Sequence, residues 1–88
     1  MQVGKVVGSL VSTQKHESLR GAKLMMVSIL DGNQKETDKI EIAVDTISSG
    51  VGEYVLLTHG SSARHAFEEN QGMVVDCAIV GIVDSFET

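Results

Sequence analysis

Apolar residues fall in short runs of Val, Ile and Leu, parted by Gly, Ser, Asn and Asp, and this punctuation predicts an all-β chain. The first run covers residues 3–11. The second covers residues 23–30 and stops at Asp31-Gly32-Asn33, a turn in which Gly and Asn tolerate positive φ. A third run over residues 39–44 makes the pair a hairpin with a longer loop. Within it, Lys39 to Asp45 alternates polar and apolar, the pattern of a strand with one face on a core and one in water. A Ser/Gly-rich loop over residues 46–52 leads to a fourth strand over residues 53–58. Gly60-Ser61-Ser62 is a helix-entry signal because a Ser hydroxyl can cap free amides, and residues 63–69 are the one convincing helical stretch. A fifth strand is expected over residues 73–83, before a short acidic tail.

Five strands and one short helix suggest a small OB-like β-barrel, since closure removes sheet edges that a Pro-free chain has few other means to blunt. In a lone barrel each strand has one apolar and one solvated face. Two strands break that rule. In the last, Cys77, Ile79 and Val83 alternate with Ala78, Val80 and Ile82; in the second, Leu24 and Met26 alternate with Met25, Val27 and Ile29. Leaving several such side chains in water forfeits about 1.5–3 kcal/mol each, against a net domain stability of about 5–15 kcal/mol. A partner subunit is the simplest cover; the alternative is that the helix and long loops cover these faces within one chain.

At 88 residues and 9.4 kDa the chain holds one domain, and a core this small is marginal without reinforcement. Cys77 is alone, so no internal disulfide is possible, and this usage fits a reducing cytosol. One Cys with His16, His59 and His65 shows no paired ligand spacing, so no structural metal is expected. Oligomerisation remains. No stretch approaches the ~20 apolar residues of a membrane span, and the opening Met1-Gln2-Val3-Gly4 lacks a secretory pattern. The expectation is a cytoplasmic protein.

Candidate chemistry is sparse. Gly50-Val51-Gly52 lacks the third glycine of a dinucleotide fingerprint and leads into a strand. Asp45 and Glu53 flank the Ser/Gly loop and read as solvated turn residues. Cys77 reads as a small buried hydrophobe rather than a reactive thiolate. The richest polar cluster, His59-Gly60-Ser61-Ser62-Ala63-Arg64-His65, could bind an anion at a helix start, which leaves a small-ligand or anion-binding barrel as the alternative function. It lacks the context of a nucleophile elbow, so no enzyme and no cofactor are expected. Nucleic acid is disfavoured as a partner: aromatic content is 3%, and 7 basic residues face 12 acidic ones, a net charge of -5.

Several blocks match something specific in order and spacing. Val6-Val7-Gly8-Ser9-Leu10-Val11-Ser12-Thr13-Gln14-Lys15, Leu19-Arg20-Gly21-Ala22-Lys23-Leu24-Met25, Ala43-Val44-Asp45, Gly50-Val51-Gly52-Glu53, Gly60-Ser61-Ser62-Ala63-Arg64 and Ile79-Val80-Gly81-Ile82-Val83-Asp84 together resemble the EutN/CcmL family of bacterial microcompartment vertex proteins. The resemblance covers nearly the whole chain. It implies an OB-like barrel assembled as a homopentamer, capping the vertices of a polyhedral shell whose facets are hexameric shell proteins and whose interior holds enzymes. No catalytic role and no cofactor are implied. A hexagonal layer closes only with fivefold units, and a head-to-tail interface repeated by rotation yields a ring.

One departure stands out: the family pattern commonly has Gly-Ala where this chain has Ser48-Ser49 before Gly50. A position near the fivefold axis would make the channel mouth more polar there; Gly60, Ser61 and Ser62 are the second candidate axis loop. Arg64 is expected to make a charge-assisted contact with the helix or a neighbouring subunit. Ala78, Val80 and Ile82 are the expected interface face of the last strand.

Overall fold

The computed structural model describes residues 1–11, 21–60 and 76–87. Its five strands are β1 (Gln2–Leu10), β2 (Lys23–Leu30), β3 (Glu36–Asp45), β4 (Tyr54–His59) and β5 (Cys77–Val83). They close into a barrel in the order β1-β2-β3-β5-β4, with β4 returning to β1. Every seam is antiparallel except β3 against β5, which is also the shortest, with only Val44 opposite Ala78 and Asp45 opposite Ile79. Closure gives every described strand two neighbours over at least part of its length, which blunts edges that a chain without proline has few other means to blunt.

The bounds of β2 coincide with the expected run, while β3 begins three residues earlier than expected, at Glu36. The reason lies in the hairpin turn. The Asp31 carboxylate accepts the N–H groups of Asn33 at 2.8 Å and Lys35 at 3.1 Å, which turns the chain early and brings Glu36 opposite Leu30. The left-handed residue is Gln34, with φ 59°, rather than Gly32 or Asn33. The expected helix over residues 63–69, and the first part of the expected fifth strand, lie outside the described residues. Asp76 is a bend, and strand pairing starts at Cys77.

The core is a single cluster of Val6, Met25, Val27, Ile29, Ala43, Val55, Leu57, Cys77 and Ile79. All five strands contribute to it, and β2 contributes alternate positions, as period-two geometry requires. Gly4 marks the tightest approach of β1 to β2. A Cβ there would lie 2.3 Å from Val27 Cγ1 and 3.0 Å from the Ser28 carbonyl oxygen, so only glycine fits.

Candidate functional site

The alternation in β3 is real, but its polarity is the reverse of the ordinary one. Residues directly opposite in an antiparallel pair share a face. Ala43 lies opposite Met25 and Glu41 opposite Val27, both core residues, so the face carrying Glu41 is the inner one. Ile42, opposite Met26, and Ile40, opposite Ser28, stand on the outer face, 43% and 46% exposed. Met26 beside them is half-buried, and Gly8 opposite Met26 adds no side chain. The isoleucines that a lone barrel would place in its core are turned outward instead.

Other outer positions are covered within one chain. Leu24, Val44 and Ala78 lie in one row of paired residues. All three are buried although none belongs to the core cluster. Ala78, expected at a subunit interface, is fully buried and has no surface to offer a neighbour. In β5 the strict alternation also fails: Leu57 pairs with Ile79 but Leu56 pairs with Gly81, so Val80 is an extra, bulged residue. Ile82 then pairs with the core residue Val55 and takes that face, not Ala78's. It remains 39% exposed, and Val80 is half-buried, so both keep surface available.

The Ser/Gly loop is held by its two flanking carboxylates, which are not solvated turn residues. Asp45, whose side chain is fully buried, accepts the N–H groups of Ile47 at 3.0 Å and Ser49 at 2.7 Å. Lys23 Nζ lies 3.7 Å from that carboxylate and donates to the Ser49 carbonyl at 3.1 Å. Glu53 accepts the Gly50 N–H at 2.6 Å, and Gly52 donates to the Val6 carbonyl at 2.8 Å, tying the loop to β1. Ser48 and Ser49 then differ. Ser48 is exposed with φ 59°, whereas Ser49 is buried and its Oγ has no hydrogen-bond partner among the described residues. Of the two extra hydroxyls, only that of Ser48 reaches the surface of the subunit.

Of the second loop, Gly60 is described: φ is 67° and its N–H donates to the Asp76 carbonyl at 2.9 Å. Ser61, Ser62 and Arg64 lie outside the described residues. His59 Nε2 is 2.8 Å from Glu41 Oε2, so the described start of the polar cluster faces a carboxylate, and its first free amide is already bonded. This disfavours an anion at His59 and Gly60. The His59 contact holds the Glu41 carboxyl below its ordinary value, and burial, aided by Glu41, pushes the Cys77 thiol up to about 12.

Glu41, His59 and Cys77 sit 18 residues or more apart in sequence, which hid them from any reading of ligand spacing. Pairing of β4 with β5 sets His59 opposite Cys77, and the inward face of β3 adds Glu41, all with ligating atoms within 4.8 Å of one another.

The architecture and sequence have close counterparts. A family model described as ethanolamine utilisation protein EutN/carboxysome matches residues 1–84. The chain is 44% identical over 88 residues to the bacterial microcompartment shell vertex protein GrpN of Rhodospirillum rubrum, covering 100% of this chain and 98% of that protein. It is 45% identical over 89 aligned positions to the shell vertex protein PduN of Salmonella typhimurium, covering 97% of each. The solved structure of GrpN, a pentameric microcompartment shell protein, superposes with a TM-score of 0.90 and covers 100% of this chain and 99% of that one. Gloeobacter violaceus CcmL superposes with a TM-score of 0.94 at 33% identity, covering 100% of this chain and 90% of that one.

Proposed function

The chain belongs to the EutN/CcmL family, and from that premise we propose that it is a structural protein of a bacterial microcompartment shell, capping the vertices as a homopentamer in the cytoplasm. The observation that carries this reading is the outward isoleucine face of β3, in a chain that matches a pentameric relative end to end. Closing a ring would bury Ile40 and Ile42 against the next copy, and a fivefold ring presents the same edge to each neighbouring facet.

In this reading the closure order β1-β2-β3-β5-β4 is an OB-like barrel. The subunit interface draws on Ile40, Ile42, Val80 and Ile82, with Arg64 as a charge-assisted contact. The loops at Ser48 and Gly50, and at Gly60, Ser61 and Ser62, border the axis. The facets are hexameric shell proteins, the enclosed enzymes do the chemistry, and the chain itself is not an enzyme.

The function is tested by expressing a hexameric shell protein with and without this chain and imaging the products by electron microscopy. Closed polyhedral shells that form only with the chain present support the reading; shells that close equally well without it overturn the capping role.

A further inference from the structure

Glu41, His59 and Cys77 offer one carboxylate, one imidazole and one thiol from three strands, meeting at the seam where β3 runs parallel to β5. We propose that they form a binding site for a borderline-soft divalent cation of the zinc type, a feature independent of the capping role. The donor set is one that zinc takes: sulfur, nitrogen and oxygen, three protein ligands and one open position. Harder ions such as Mg²⁺ prefer octahedral oxygen sets and are poorly matched.

The geometry is close to what such an ion needs. Zinc bonds of about 2.0–2.3 Å arranged tetrahedrally place ligand atoms about 3.3–3.8 Å apart. Here the atoms all lie within 4.8 Å, with His59 Nε2 and Glu41 Oε2 at 2.8 Å. Seating the ion parts the His59–Glu41 hydrogen bond slightly and draws the sulfur inward, movements within side-chain reach. Cys77 is buried while the side chains of His59 and Glu41 are 35% and 21% exposed. An ion therefore has an entry path from solvent, and water can fill the fourth position. Lys39 Nζ, 3.4 Å from Glu41 Oε1, must yield part of its contact.

Without an ion Cys77 is a free thiol whose sulfur lies within 4.8 Å of the Glu41 carboxylate. On binding, the S–H bond breaks, the thiolate pair forms the metal–sulfur bond, and the proton leaves to solvent. The ion then bridges β3 to β4 and β5, bracing the shortest seam of the closure.

The test titrates the metal-depleted full chain, in whatever assembly it forms, with Zn²⁺ and separately with Mg²⁺, then repeats the titration with Co²⁺ as a spectroscopic probe. Expected are one Zn²⁺ per chain, no saturable Mg²⁺ binding, a thiolate-to-cobalt charge-transfer band, and a melting temperature raised by Zn²⁺. Because Cys77→Ala opens a small gap in the core, the half-exposed His59→Gln is the parallel variant, with circular dichroism checking the fold. Each should weaken Zn²⁺ binding by at least about tenfold, the scale on which even outer partners of a metal site act. Absence of saturable Zn²⁺ binding, absence of the charge-transfer band, or affinity undiminished in either folded variant would overturn the site.

Discussion

Two stretches of the same outer face behave oppositely. Around Leu24, Val44 and Ala78 the apolar side chains are buried by their own chain; two residues back along β3, Ile42 and then Ile40 stand in water. In sequence nothing separates them on β3, where Ile40, Ile42 and Val44 follow one another at every second position. The difference teaches that such a pattern states how much cover is needed, and the tertiary fold alone states whether the chain or a neighbour supplies it.

The sharpest way to break the comparison is to place the same charge on each side of the boundary. Val44→Asp buries a carboxylate without a partner and should cost more than about 4 kcal/mol, enough to unfold the subunit. Ile42→Asp adds a charge to a half-exposed face and should cost the subunit less than about 1 kcal/mol. Urea unfolding of dilute protein measures both, and equal losses would erase the boundary.

A smaller effect is expected where the covered side meets the Ser/Gly loop. Asp45→Ala removes the acceptor of two amides and the carboxylate beside Lys23, which should cost about 1.5–3 kcal/mol by the same measurement. A loss below about 0.5 kcal/mol would mean that the loop holds itself.

The first residue of β5, which meets Glu41 of β3, gives a pH test in metal-free protein. The Cys77 thiol is raised from 9.0 to about 12 in the folded chain. Its contribution is therefore full below pH 9 and is lost as pH rises from there toward the folded value. Cys77→Ala should fall less steeply with pH over that window, and identical slopes would remove the thiol from the account. Smallest of all, Ser48→Gly should leave stability unchanged or raise it by up to about 1 kcal/mol in a melting experiment, since φ 59° suits glycine. A clear loss would show that the Ser48 side chain holds the loop.

Much of the barrel was legible because it rests on local signals: the bounds of β2, the hairpin at Asp31 and the number of strands all follow from apolar runs and turn residues. What escaped depends on registry across strands. The bulge at Val80 reassigns the face of Ile82, and the alternation of residues 39–45 carries no sign that would say which side is inward. The roles of Asp45 and Glu53 were missed because a carboxylate in a turn looks solvated until the amides that bend back onto it are seen. Glu41, His59 and Cys77 meet only after β3, β4 and β5 have closed.

The most direct measurement of the central claim is native mass spectrometry at micromolar concentration on the parent chain and on Ile42→Asp. The outward isoleucine face predicts a fivefold species for the parent and a folded single chain for the variant. A parent that persists as a lone subunit, or a variant that keeps the fivefold ring intact, would contradict it.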